Sequence, residues 1–174
     1  GAFVWDFRLD QDANVTSTSV KRARVRSRSK LDYLGVQQAI DGGTADANLV
    51  LLKEIGLKRI LLEIARGAAS LTMPESEINE VGQGYEIVRR SPQPVEDWNA
   101  QLSLMTGMAA ADLMIGAKVG ILRTMPPPEQ GAVDRFRRQT IALGHAWADA
   151  EEYGDYLRGL DTADPGQLAI MHAA

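Results

Sequence analysis

Basic side chains recur at every second position in the stretch SVKRARVRSRSKLDY, residues 19–33. The members of this series are Arg22, Arg24, Arg26, Arg28 and Lys30. In a β-strand, alternate side chains point to the same face and lie about 6.8 Å apart. Successive phosphates along an extended polynucleotide strand have a similar spacing. The spacing therefore predicts a row of cations on one strand face, suited to contact with phosphate groups.

Two interpretations of this series fit the residues equally well. A row of cations that displaces counterions binds a nucleic-acid backbone whatever its sequence. Alternatively, the charges protect a solvated edge strand from pairing with another chain. Tyr33 follows the series at a predicted helix start, where its ring either packs or offers a face on which a base can stack. Arg123 is a weaker candidate for a phosphate contact.

The basic character of this stretch is local. The whole chain of 174 residues has a net charge of −4. Residues 1–30 contain seven Lys or Arg and three Asp, which leaves twelve Lys or Arg against twenty Asp or Glu in the rest of the chain. A basic patch on an otherwise acidic protein is a candidate for contact with an anionic partner.

The composition excludes several other classes of protein. The absence of cysteine excludes disulfides and thiolate zinc sites, and it is typical of a cytoplasmic protein. Charged residues interrupt every apolar run before it reaches the roughly 20 residues of a membrane span, and the first residues do not resemble a signal peptide. An apolar content of 45% with 24% charged residues is typical of a globular domain that can bury a core.

The elements that must position these side chains are predicted from periodicity and from turn residues. A β-hairpin over residues 2–9 and 15–28 places Phe3, Trp5, Phe7 and Leu9 on its core face. Helices are expected over residues 33–43, 46–70, 95–118, 129–147 and 165–174, with a second hairpin near Ile78 and a short strand over 120–124. The long helix of residues 46–70 is predicted to bury Leu51, Leu52, Ile55, Leu62 and Ala65. Few strands and many helices indicate the α+β class, in a single domain over residues 1–174.

Motifs of common enzyme classes are absent. No phosphate-binding glycine loop occurs, because the GQG of residues 82–84 joins two predicted strands. His145 and His172 are the only histidines and are too far apart in sequence to indicate a metal site or a catalytic triad. From its motifs alone, the chain is a globular domain with a charged strand.

Three blocks, taken in order, resemble the ribonuclease II (RNB) exoribonuclease family. The arginine series leading into SRSKLDYLGVQQAIDGG is similar to a basic strand of that family. VEDWNAQLSLMTGMAAADLM resembles its long helix with small residues, and GILRTMPPP resembles a glycine, hydrophobic and arginine segment that ends at prolines. The order and spacing of these blocks carry the resemblance over essentially the whole chain.

The resemblance implies hydrolysis of single-stranded RNA from its 3′ end with Mg²⁺ as the cofactor. In the family, clustered aspartates upstream of the resembled region hold the metal, and a T-S-P-[IL]-R-[KR]-Y block follows downstream. Neither pattern occurs in this sequence. We therefore expect a fragment of a longer catalytic domain that has no catalytic residue or metal ligand of its own and is inactive alone.

The resemblance also assigns roles to residues and shows departures. It implies that Tyr33 stacks on a nucleotide and that the basic series binds RNA phosphates. Ala100 and Gln101 stand where the family has paired glutamates, and Met125 stands where it often has a histidine. These departures leave a second interpretation open, an RNB-like module that binds RNA without catalysis.

Overall fold

The computed structural model describes residues 1–68, 70–71 and 73–174. Within these residues, six helices and two antiparallel two-stranded sheets confirm the predicted α+β class. The elements in chain order are β1 (Ala2–Leu9), β2 (Val15–Ala23), α1 (Tyr33–Asp41), α2 (Ala47–Ala65), β3 (Glu75–Val81), β4 (Gly84–Arg90), α3 (Pro94–Ala117), α4 (Gln130–Ala142), α5 (Tyr153–Arg158) and α6 (Pro165–Ala173). The chain divides into two compact units, the first with residues 1–62 and 93–123 and the second with residues 63–92 and 124–174. No helix of the described residues is long and apolar enough to cross a membrane.

The first hairpin forms where it is predicted, but its second strand is shorter. β1 and β2 pair from Ala2 with Ala23 to Leu9 with Val15, with one irregularity at the Arg8–Leu9 step. The prediction that the strand continues to residue 28 is wrong, because β2 ends at Ala23 and residues 24–28 have no regular structure. On the predicted core face, Trp5 and Phe7 stack with ring centroids 5.9 Å apart, whereas Phe3 is exposed.

Hydrogen bonds within the turn, and one from a side chain of α2, stabilise the turn of this hairpin. The Asp10 carboxylate accepts hydrogen bonds from the backbone of Asp12 and Asn14 and from the Asn14 side chain. The Asn14 side chain is the main cause that holds the pKa of Asp10 below its ordinary value. Ala13 has a left-handed backbone with φ of 62° and is buried. Its carbonyl accepts a hydrogen bond from Nη1 of the buried Arg59 at 3.2 Å, so α2 anchors the turn.

The core of the first unit lies where α1, α2 and α3 meet. Val36, Val95 and Trp98 are buried together, with Ile40, Leu49, Leu52 and Ile60 packed against them. Gly56 allows the close approach of α2 to α3, because a Cβ built there would lie 2.4 Å from Cβ of Trp98.

The buried face of α2 agrees only in part with the predicted one. Leu52 packs against the core as predicted, but Leu51 and Ala65 are exposed. The buried positions, which lie three and four residues apart, are Gly56, Arg59 and Glu63. Two of them are charged, so hydrophobic periodicity does not indicate their burial.

The second unit contains the second hairpin and three helices. β3 and β4 pair in register around Ile78 and Ile87, as predicted, and the turn between them has Gly82 at φ of 62°. The core is an aromatic cluster on α4, α5 and α6, formed by Phe136, Tyr156, Leu157 and Ile170 with Trp147 and Leu160 beside it. The α5 helix is not among the predicted elements. The predicted strand over residues 120–124 is wrong, because this segment has no partner strand among the described residues and adopts no regular structure.

Candidate nucleic-acid interface

The basic series forms an exposed segment between β2 and α1. Arg22 lies in β2, and the other four cations follow in irregular backbone between Ala23 and Asp32. The predicted common strand face therefore does not exist beyond Arg22. All five side chains are exposed, and within the described residues none of them makes a hydrogen bond or an ion pair. Their charges are thus available to an anionic ligand.

This basic segment, residues 22–30, leads directly into the N-terminus of α1. Asp32 is the N-cap, and its carboxylate accepts a hydrogen bond from the Gly35 backbone at 2.8 Å. The first helical residue is Tyr33, whose side chain is partly exposed. The tyrosine hydroxyl accepts a hydrogen bond from Nδ2 of Asn99 at 3.1 Å. The ring therefore has a partner on α3 while it remains accessible.

A cleft of about 250 Å³ opens beside the Tyr33 ring. Its lining residues are Leu31, Asp32, Tyr33, Val36, Leu49, Leu52, Val95 and Asn99. Most of this lining is apolar, and the polar groups come from Asp32, Tyr33 and Asn99. A mostly apolar lining with a few polar groups is typical of pockets that bind small molecules.

The cleft exists because α1 and α3 are held together behind it. The side chain of Gln37, buried on α1, accepts a hydrogen bond through Oε1 from the backbone of Val95 at 2.9 Å. Its Nε2 donates to Asp41 at 3.0 Å. The amide thus satisfies a backbone donor in the first turn of α3, which has no partner within its own helix.

The remaining predicted residues lie elsewhere in the first unit or in the segment that follows it. Arg123 is exposed in the irregular segment after α3, and no hydrogen bond or ion pair within the described residues joins it to the basic segment. Of the two departures on α3, Ala100 is exposed whereas Gln101 is 3% exposed, so the Gln101 side chain faces the protein interior. Met125 is 93% exposed.

The described residues do not form a magnesium site. No group of three or more His, Asp or Glu side chains in this part of the chain lies close enough together to hold a metal ion. The features that these residues do present are a row of exposed cations and an aromatic ring beside a cleft.

Sequence reasoning missed Asn99 and Gln37, the two polar residues that organise the cleft. Both act across a sequence distance of more than 50 residues, 66 for Asn99 with Tyr33 and 58 for Gln37 with Val95. Neither belongs to a local motif. The only signal was the position of Asn99 within the helix block VEDWNAQ that carries the resemblance.

These features define a class, an α+β domain with a candidate interface for single-stranded nucleic acid. The sequence model of the RNB domain matches residues 1–165. The chain belongs to the RNB domain family.

Solved structures support this fold. The apo form of RNase R from Mycoplasma genitalium matches with a TM-score of 0.79 and 13% identity over 98% of this chain. The same enzyme in complex with ribose-methylated single-stranded RNA also matches, with a TM-score of 0.79 and 13% identity over 99% of this chain. The chain spans 29% and 30% of the length of these two matched chains. None of the curated proteins matches the sequence significantly.

Proposed function

We propose that this protein binds single-stranded RNA for degradation, as the central part of the catalytic domain of a ribonuclease II type 3′-to-5′ exoribonuclease. The observation that carries the proposal is the exposed, unpartnered basic segment that leads into the Tyr33 cleft. Membership of the RNB domain family supports it. The RNA complex of Mycoplasma genitalium RNase R, which has a similar fold, supports the choice of ligand.

The basic segment contributes affinity that does not depend on base sequence. Five exposed cations within nine residues lie along one stretch of chain, and none of them is neutralised by a neighbour in the described structure. Each cation that contacts a phosphate releases a condensed counterion, which favours binding at low salt. An exonuclease that degrades many RNAs needs this kind of contact.

The cleft contributes a place for one unpaired base. An aromatic face stacks on any base, and such contacts contribute about 1 to 3 kcal/mol each. The Tyr33 ring is the only aromatic side chain in the lining of this cleft. The segment and the cleft together would hold the backbone and a base of the same RNA strand.

Catalysis in this proposal depends on Mg²⁺ held by carboxylates that are not among the described residues. When bound, such an ion neutralises the scissile phosphate and activates a water molecule. The residues of this chain would bind and orient the RNA. Alone, the chain is proposed to bind RNA without shortening it.

A salt titration with a charge-matched control tests the proposal. We expect the double variant Arg24→Ala/Arg26→Ala to bind single-stranded RNA more weakly and to reduce the slope of log affinity against log salt by about 1.4, for two lost phosphate contacts. The control Arg135→Ala/Arg138→Ala removes the same charge from exposed positions on α4. Fluorescence anisotropy of a labelled RNA measures both. An unchanged slope in the first variant, or an equal change in both, would contradict the phosphate role.

A second candidate function is an RNB-like module that binds RNA without catalysis. It is favoured by Ala100 and Gln101 at the positions of the family's paired glutamates, with the Gln101 side chain buried. An RNA degradation assay on the full-length protein, with and without Mg²⁺, separates the two. Shortening from the 3′ end only with Mg²⁺ supports the exoribonuclease, and binding without shortening supports the module.

A further inference from the structure

Two side-chain hydrogen bonds connect α1 and α3, one at each side of the Tyr33 cleft. At the back, the buried Gln37 amide accepts from the Val95 backbone at 2.9 Å. At the mouth, the exposed Asn99 amide donates to the Tyr33 hydroxyl at 3.1 Å. The two bonds join the same helices, but Gln37 is buried and Asn99 is exposed. We therefore expect the two bonds to have different roles.

The back bond holds the helices together. Gln37 is 7% exposed, and its neighbours Val36, Val95 and Trp98 form the core of the first unit. Loss of a buried partner leaves the Val95 N–H unsatisfied, which costs more than the loss of an exposed bond. We therefore expect the Gln37 bond to contribute more to the association of α1 with α3 than the exposed Asn99 bond does.

The mouth bond instead fixes the orientation of a ring. Tyr33 stands at the first position of α1, directly after the N-cap Asp32. At 44% exposure the ring has packing contacts over only part of its surface. The hydrogen bond from Asn99 restrains the hydroxyl end of the ring. Tyr33 and Asn99 both line the cleft, so the restraint acts on a ring that borders it.

We propose that Asn99 is a positioning residue that holds the Tyr33 ring open for an unpaired base of single-stranded RNA. The proposal rests on the proposed function, because it takes RNA as the ligand of this cleft. It assigns to Asn99 no contact of its own with RNA: its effect passes through the tyrosine hydroxyl. A ring fixed before binding loses less conformational freedom when a base stacks on it.

A double-mutant cycle tests this pathway. In the 174-residue chain, Asn99→Ala and Tyr33→Phe each remove the same hydrogen bond, from opposite ends, while Tyr33→Phe keeps the ring. We expect each to weaken binding of a short fluorescein-labelled single-stranded RNA by about threefold to tenfold, the range for one neutral hydrogen bond. The double variant should be no weaker than either single variant, because interacting residues are not additive.

Two further variants show whether weaker RNA binding comes from the ring of Tyr33 or from a less stable fold. Tyr33→Ala removes the ring and should weaken binding more than Tyr33→Phe. Gln37→Ala removes the back bond and should lower the urea midpoint of unfolding, whereas Asn99→Ala should leave the midpoint within experimental error. A merely structural role of Asn99 would lower its midpoint as in Gln37→Ala, and that result would overturn the proposal.

The outcomes separate this inference from the proposed function. If the wild-type chain binds RNA and Tyr33→Ala weakens binding but Asn99→Ala does not, the positioning role is wrong and the proposed function stands. If the effects of Asn99→Ala and Tyr33→Phe add, Asn99 contacts RNA directly and the pathway through the hydroxyl is wrong. If the wild-type chain binds no single-stranded RNA, the proposed function fails and the inference falls with it.

Discussion

Each unit of this protein contains an apolar cavity, and the smaller one has the features of a binding site. The cavity of the second unit measures about 560 Å³ and the cleft of the first about 250 Å³. The larger cavity is lined by Met125, Pro126, Pro128, Ala132, Val133, Phe136, Trp147, Tyr153, Ala173 and Ala174. Of these two, the cavity of the second unit has the larger volume.

The charges and polar groups beside the two cavities nevertheless favour the smaller cleft as the candidate site. The smaller cleft adjoins a series of unpartnered cations and has an amide and a hydroxyl at its mouth. Beside the larger cavity, the guanidinium of Arg137 lies 4.3 Å from the centre of the Trp147 ring and pairs with Asp149. The first unit therefore combines unpaired cations with an accessible ring, whereas the cation beside the larger cavity already has an aromatic and an acidic partner.

The two cores also differ in how they are built. In the first unit, Gly56 lets α2 approach α3 closely at Trp98. In the second, Phe136 makes edge contacts with Trp147, Tyr153 and Tyr156, with ring centroids 5.7 to 6.3 Å apart. Such edge-to-face pairs add stability beyond burial. The core of the first unit depends on the absence of a side chain at Gly56, and the core of the second unit depends on large aromatic side chains.

The largest expected effect is a loss in the free energy of unfolding when the core of the first unit is overpacked. Gly56→Ala places a Cβ 2.4 Å from Cβ and 2.7 Å from Cα of Trp98, so α2 and α3 must separate. We expect a loss of about 2 to 3 kcal/mol in the free energy of unfolding, as for overpacked cores. Urea denaturation measures the loss, and amide hydrogen exchange should locate it in α1, α2 and α3.

The matched control is Gly107→Ala on α3, where nothing lies within 4 Å of the added Cβ. There we expect a gain of up to about 1 kcal/mol, because glycine is unfavourable inside a helix. Equal effects of the two substitutions would show that the close approach at Gly56 does not determine this core.

The next prediction compares RNA binding after one lining side chain is enlarged in each of the two cavities. Leu49→Trp enlarges a side chain that lines the smaller cleft, and Ala132→Leu enlarges one that lines the larger cavity. We expect the first to weaken RNA binding about tenfold, since a stacked base contributes about 1 to 3 kcal/mol, and the second to leave binding unchanged. Anisotropy titrations at constant salt measure both. Loss of affinity in Ala132→Leu alone would move the interface to the second unit.

The smallest expected effect is a loss of stability at alkaline pH, which arises in the aromatic core of the second unit. Burial raises the pKa of Tyr153. Burial also raises the pKa of Tyr156, with a contribution from Glu151 and against a hydrogen bond to Thr140. The unfolded chain then loses these protons at lower pH than the folded one. Stability from this source is fully present below about pH 10, the ordinary pKa of tyrosine, and is lost as the pH rises through the folded values.

Urea midpoints between pH 8 and 11 test this dependence, and amide hydrogen exchange should place the alkaline loss in α4, α5 and α6. The variant Tyr153→Phe should reduce the dependence, because a phenylalanine has no proton to lose. A steeper alkaline loss in that variant than in the wild type would contradict the assignment.

Much of the local structure could be predicted from the sequence. The second hairpin and the long helix from Pro94 form where turn residues and proline indicate them, and the short helix begins at Tyr33 as predicted. These signals act within a few residues, so they do not need the fold. The α+β class and the resemblance to the RNB family follow from the same local blocks.

The errors have one physical cause. The alternating cations and the GILRT segment both predict strands, but neither residues 24–28 nor residues 120–124 pair with a strand among the described residues. On α2, apolar periodicity does not indicate the burial of Arg59 and Glu63. Alternation and periodicity are local signals, whereas strand pairing and the burial of a charged side chain depend on the surrounding fold.

The amino-acid sequence alone shows five cations ahead of a tyrosine at a predicted helix start, because charge and helix-start signals are properties of neighbouring residues. The tertiary structure was needed to show that four of these cations lie outside β2 and that the tyrosine ring borders a cleft. The amide that restrains this ring lies 66 residues away. Side chains so far apart in sequence meet only when packing of the helices brings them together, and no local pattern contains that information.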